Sequence, residues 1–291
     1  MSEASAQHVL ASYGTRRLQT TVLSDGEAVT LVRRWADGQP ARRPVVEPPV
    51  QATAEAALLR AELCDGALVY RGAGPASLVE LMPRLLERQG AAAAWARAAG
   101  ATVCGLHHPL ASGRPGTARL ERMADLWREE GDNVAAAAAR GLLVRWQSDL
   151  GDRAWREVGE TLDALLQDGR DGWWILGDAA LAGLRCTGPL RLRALLDGHA
   201  GRGPRELDAG LLLGELVELR KIAGRRAGGG ADAELAAAVR AFTMTLPDDL
   251  ERPLVRRVAA GRILLHALDY LEFVGWDDEL RDYGALAREA L

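Results

Sequence analysis

At 291 residues, 48% of them hydrophobic and 26% charged, the chain is long enough to bury a sizeable core in one large domain or two lobes. A net charge of −4 gives no reason to expect nucleic acid, whose phosphates call for a basic face, and no apolar run approaches the roughly 20 residues of a membrane span. Three scattered cysteines (Cys64, Cys104 and Cys186) make neither a disulfide frame nor a zinc knuckle, and no signal-peptide pattern opens the chain. A cytoplasmic protein with reduced thiols is therefore expected.

Short strands are predicted first, over His8–Tyr13, Arg17–Leu23 and Glu27–Trp35, with Asp25-Gly26 as a hairpin signal. The prolines between Gln39 and Pro49 mark a loop, since they remove ladder donors. Thr53 is positioned to cap a helix running to Leu63, with Ala57, Leu58 and Ala61 on its apolar face. Ala67–Tyr70 reads as a strand ending in the glycine-rich connector Arg71-Gly72-Ala73-Gly74-Pro75.

Helical spacing then dominates. Helices are expected over Ala76–Gln89, Ala91–His107, Thr117–Arg128, Asn133–Leu150, Arg153–Gln167, Asp208–Ile222, Asp232–Thr243, Pro253–Phe273 and Trp276–Leu291. The glycines and arginines of Gly224–Gly230 read as a flexible surface loop. Only the window from Trp173 to Gly214 interrupts the pattern, with short strands expected over Trp173–Leu176 and Leu190–Leu196.

That window carries the chemistry. It places Asp178 after Gly177, Asp197 after a run of leucines, and Asp208 after Gly203-Pro204-Arg205-Glu206-Leu207, at spacings of 19 and 11 residues. In this order the motifs resemble the catalytic core of the aminoglycoside-phosphotransferase branch of the protein-kinase-like superfamily. The resemblance implies an α+β, two-lobed fold. A β-rich N-lobe with one helix would span residues 1–72, and a mainly helical C-lobe would span 73–291, with its catalytic-loop-like segment at 173–214. It further implies that Asp178 faces the acceptor hydroxyl, Asp197 holds Mg²⁺, and Asp208 braces the loop or caps the helix it opens. ATP would be held at its phosphates by Arg33 or Arg34, oriented by Glu55 or Glu62. Gly105-Leu106-His107 matches a Leu-His pair of the family, but His107 reads better as a satisfied histidine at a helix end.

Departures from the family pattern bear on activity. Leu176 stands where the family has a histidine, and Gly183 stands where it has a metal-binding asparagine. Lys221 is the only lysine among 36 basic residues and Asn133 the only asparagine, so neither can restore the missing group. Arginine grips phosphate through a planar fork but is not interchangeable with lysine at a tight site.

The Ala, Arg and Gly bias points to a GC-rich genome such as that of an actinomycete. The chain looks like the kinase component of ribosomal-peptide dehydration systems of the class V lanthipeptide or thioamitide type. There, a Ser or Thr of a precursor peptide is phosphorylated and a phosphothreonine-lyase-like partner eliminates the phosphate. Two other readings stay open: a pseudokinase scaffold that binds leader peptide and partner enzyme, and a small-molecule phosphotransferase acting on an antibiotic or metabolite.

Overall fold

The computed structural model describes residues 8–14, 18–35, 57–128, 137–167, 172–227 and 229–291. Strands β1 (His8–Gly14), β2 (Leu18–Ser24) and β3 (Val29–Trp35) form an antiparallel meander. The turn between β2 and β3 is closed by Asp25, whose carboxylate accepts the backbone N–H groups of Glu27 and Ala28 at 3.0 and 2.8 Å. Strand β3 pairs on its far side with β6 (Ala67–Arg71), and β6 pairs with β5 (Glu62–Cys64), completing the order β1-β2-β3-β6-β5. Alternation along the strands buries Val22, Leu31, Leu68 and Tyr70 in one cluster.

The helix expected over Thr53–Leu63 does not form where the structure describes it. Residues 58–60 are strand β4 (Leu58–Arg60) and residues 62–64 belong to β5. Leu58 joins the helical core whereas Leu59 joins the N-terminal cluster. Adjacent residues buried on opposite sides require an extended chain, so tertiary pairing overrides the helical propensity of the Ala- and Leu-rich run. Residues 53–56 lie outside the described residues.

Strand β4 runs parallel to β11 (Arg191–Leu196), which pairs with β10 (Leu184–Gly188), itself paired with β7 (Ala76–Ser77). The expected strand Leu190–Leu196 is thus one arm of a hairpin whose other arm, β10, the sequence reading left out. A third small sheet joins β8 (His108–Pro109), β9 (Trp173–Ile175) and β12 (Gly201–Gly203). The connector at Gly74 passes so close to β10 that a Cβ there would stand 1.7 Å from the Cys186 carbonyl oxygen. Fully buried Arg185 fixes this crossing, donating to the Gly74 carbonyl at 2.8 Å and to Glu80 at 3.1 Å.

The remainder is helical: α1 (Leu78–Leu86), α2 (Ala91–Cys104), α3 (Ala118–Arg128), α4 (Ala137–Leu150), α5 (Asp152–Gln167), α6 (Arg205–Ala227), α7 (Gly229–Thr245), α8 (Arg252–Phe273) and α9 (Tyr283–Ala290). Ser77 and Glu80 form a capping box at the start of α1. Gly210 and Gly214, one turn apart on α6, let α8 approach closely, since a Cβ on either would collide with Val258 or Ala259.

Three expectations need correction here. The loop expected over Gly224–Gly230 is largely helical, because α6 runs to Ala227 and α7 begins at Gly229. Asp208 does not cap α6; it is that helix's fourth residue and its side chain turns to another task. The helix expected over Trp276–Leu291 is a 3₁₀ turn, Asp278–Asp282, followed by α9, with Asp277 accepting the Glu279 N–H at 2.8 Å.

Glu218 pins three helices together. On α6 and only 4% exposed, it accepts from Arg262 and from His266 Nδ1 (2.6 Å) on α8 and from the Tyr283 hydroxyl (2.7 Å) at the start of α9. Burial pushes its carboxyl upward, but these donors outweigh burial and hold it down at about 2. A depressed folded-state value stabilises the fold above the unfolded carboxylate range, and that contribution disappears as pH falls through the folded value. Glu218 should contribute about 3 kcal/mol at neutral pH that is lost between about pH 5 and pH 2. Glu218→Gln should lower stability at pH 7 by about 3 kcal/mol in urea titrations, and the gap to the parent should close on acidification.

Candidate functional site

Beyond β9 the chain turns sharply at Gly177, where φ is +74° and a Cβ would stand 2.4 Å from the His199 carbonyl oxygen and 2.5 Å from that of Gly116. Only glycine fits both the conformation and the space. Asp208 fixes this turn from beneath. Wholly buried, it accepts the N–H of Leu176 at 2.7 Å and that of Gly177 at 2.8 Å, and it contacts His107 Nε2 at 3.1 Å. His107 lies just past the end of α2 with its ring 2% exposed, a buried tie between that helix and the loop. Glu215 on α6 adds a further tether, accepting the Leu181 N–H at 2.7 Å.

The turn delivers Asp178 to a small cleft that Arg33 of β3 and Asp197, just past β11, also line. Carboxylate oxygens of Asp178 and Asp197 and a ring nitrogen of His199 all lie within 4.8 Å of one another. The His199 backbone N–H donates to Asp197 at 2.9 Å, folding Asp197-Gly198-His199 back on itself. The Tyr70 hydroxyl donates to the Leu196 carbonyl at 3.3 Å, tying the N-terminal sheet to the residue before Asp197. The Arg33 Nε is buried without a hydrogen-bond partner among the described residues.

Arginine from α3 completes the arrangement. Arg119 donates through Nε to Asp178 and through Nη1 to Asp269 on α8, both at 2.8 Å, and Arg122 reaches the other oxygen of Asp269 at 2.5 Å. Two carboxylates in one desolvated cleft cannot both ionise cheaply, and their environments separate them. Burial raises both, but at Asp178 the charges of Arg119, His199 and Arg33 prevail and hold it below the usual carboxylate range. At Asp197 burial and the neighbouring charge of Asp178 win, pushing it above that range.

No protein-family model matches the chain, and no curated protein matches it. Solved structures do. A choline/ethanolamine kinase family protein from Mesorhizobium loti is 19% identical over 99% of this chain and 87% of its own, with a TM-score of 0.55. A glucosamine kinase in complex with glucosamine, ADP and inorganic phosphate is 17% identical over 99% of this chain and 81% of its own, with a TM-score of 0.54. The fold is protein-kinase-like.

Within that fold Asp178, Asp197 and Arg33 converge on one cleft, and Asp208 lies beneath it. Arg34, next to Arg33 on an alternating strand, is exposed and does not line the cleft. Glu62 is exposed on β5 and pairs with Arg71 at 3.1 Å, while Glu55 lies outside the described residues. Two participants escaped the sequence reading. Arg119 is one arginine among many, and nothing local marks it. His199 has a local signal, since it stands two residues after Asp197.

Removing the Asp208 carboxylate should free the turn. Asp208→Ala leaves two buried N–H groups without acceptors, a cost of about 3 kcal/mol. The amides of Leu176 and Gly177 should then exchange with solvent about 100-fold faster, while amides in the α2–α7 packing change little. Unchanged exchange at both amides would show that the turn is held by something else.

Proposed function

We propose that the protein is a divergent ATP- and Mg²⁺-dependent phosphotransferase, acting on a Ser or Thr hydroxyl of a precursor peptide beside a phosphothreonine-lyase-like partner. The observation that carries the phosphotransferase reading is the convergence of Asp178, Asp197 and Arg33 on one cleft of a protein-kinase-like fold. The peptide acceptor is supported by the sequence resemblance to the dehydration kinases.

Phosphoryl transfer asks little covalent chemistry of a protein and much positioning and charge. Arg119 engages one oxygen of Asp178, which orients the carboxylate and keeps it ionised. The other oxygen has no hydrogen bond among the described residues and is available to accept one from an acceptor hydroxyl. A weakly basic carboxylate suits this role, because a loose transition state needs the hydroxyl aimed more than deprotonated. Arg33 supplies the cation for nucleotide phosphates, and its Nε, which has no hydrogen-bond partner among the described residues, fits an anionic ligand. The donor set of Asp178, Asp197 and His199 fits a divalent cation, which Asp197 would hold and which would neutralise charge on the phosphate oxygens.

A second reading has its own support. The Arg119 clamp on Asp178, with no lysine in β3 and no asparagine in the loop, favours a pseudokinase that binds nucleotide or leader peptide without transfer. Thermal melts and transfer assays separate the two. Saturating Mg-ATP at about 100 times its Kd should stabilise the protein by about 2.7 kcal/mol, a rise of about 5–10 °C in Tm. Asp197→Asn should remove most of the metal-dependent part. With precursor peptide, lyase-like partner and Mg-ATP, the parent should yield losses of water from the peptide and Asp178→Ala should yield none. If Asp178→Ala supports dehydration as well as the parent, while omitting the protein abolishes it, the chain is a scaffold.

A further inference from the structure

We propose that His199 is a direct ligand of the cation bound in the cleft, and that two carboxylate oxygens plus one imidazole nitrogen make this a site for a first-row transition metal such as Mn²⁺ in preference to Mg²⁺. The inference rests on the cation-site part of the proposed function and not on whether transfer occurs.

The geometry points to three donors. The ring of His199 stands within 4.8 Å of the carboxylates of both Asp178 and Asp197, a spread one ion can bridge with metal–ligand bonds of about 2.0–2.2 Å after small side-chain rotations. The backbone reinforces the pairing: the 2.9 Å bond from the His199 N–H to Asp197 Oδ1 holds residues 197 and 199 in one tight turn, so the exposed His199 ring stands at the edge of the cleft beside Asp197. On the opposite wall, Gly183 also lines the cleft but offers no side chain. A Cβ there would meet nothing within 4 Å among the described residues, so the space beside Gly183 is open. The donor missing from that wall is matched by one gained at His199.

The nature of the third donor decides the metal. Mg²⁺ is hard, prefers oxygen and sheds water reluctantly. An imidazole nitrogen adds little to Mg²⁺ binding but increasingly favours divalent ions along the first transition row. Arg119, which donates to Asp178 at 2.8 Å, and Arg33, which lines the same cleft, already offset part of the carboxylate charge. The cleft is therefore not an acidic cluster open to any cation, and selectivity falls to the one nitrogen donor.

Binding and spectroscopy test this without relying on activity. Isothermal titration of the full-length protein with MnCl₂ and with MgCl₂, each in the presence of a non-hydrolysable ATP analogue, should show Mn²⁺ binding at least about tenfold tighter. Pulsed EPR of the Mn²⁺-loaded protein, grown with ¹⁵N-histidine, should show a directly bonded ¹⁵N, and His199→Asn should abolish that coupling. The same variant swaps nitrogen for a carboxamide oxygen, so it should weaken Mn²⁺ by about 10–100-fold while leaving Mg²⁺ within about threefold of the parent. Mn²⁺ binding that Asp197→Asn removes, but that carries no ¹⁵N coupling and is unmoved by His199→Asn, would overturn the assignment of His199 and leave the cation site standing. No Mn²⁺ or Mg²⁺ binding at millimolar concentrations would overturn both.

Discussion

Asp208 accepts two backbone N–H groups of the turn at residues 176–177 and touches His107, and the geometry of the cleft follows from that one buried carboxylate. Among the described residues neither N–H has another partner, in a loop that must leave β9 and reverse at Gly177. The carboxylate sits in the first turn of α6, where the helix dipole favours negative charge. Because α6 packs on α8 through Gly210 and Gly214 and is locked to α8 and α9 through Glu218, the turn is referred to the whole helical core. From α8 the constraint returns to the cleft: Asp269 holds Arg119, and Arg119 holds Asp178.

The opposite wall is built differently. Asp197 follows β11, and β11 is shared: one side pairs with β10, the other runs parallel to β4 from the N-terminal part of the chain. Tyr70 bonds to the carbonyl of Leu196, the last residue before Asp197. A movement of the N-terminal sheet carrying Arg33 would thus be felt at Asp197 more directly than at Asp178. Cation and nucleotide phosphate would meet where these two independently supported walls face each other, a division of labour that suits a reaction governed by positioning.

Much of this was legible in the sequence because the decisive residues lie close together along the chain. The window from Trp173 to Gly214 displays Asp178, Asp197 and Asp208 in order, and the Asp25-Gly26 hairpin and most of the helices carry strong local signals. What escaped depends on distant partners. Residues 58–64 are rich in helix formers, yet β4 exists because β11 lies alongside and because Leu58 and Leu59 are buried in different cores. Strand β10 was hidden by the glycine and proline that close its hairpin. The choice of Arg33 over Arg34 depends on which face of β3 looks into the cleft, and Arg119 reaches Asp178 from 59 positions away. Between Gly224 and Gly230, composition outweighed helix continuity and gave a loop where α6 and α7 nearly meet.

The central claim is that Asp178, Asp197 and Arg33 form one cation–phosphate site. Crystals grown with Mn²⁺ and a non-hydrolysable ATP analogue, measured at the manganese absorption edge, test it most directly. The account predicts an anomalous peak coordinated by Asp197 and lying between it and Asp178, with the terminal phosphates against the Arg33 guanidinium. A nucleotide seated away from Arg33, or a cleft holding neither metal nor phosphate in a well-ordered protein, would contradict it.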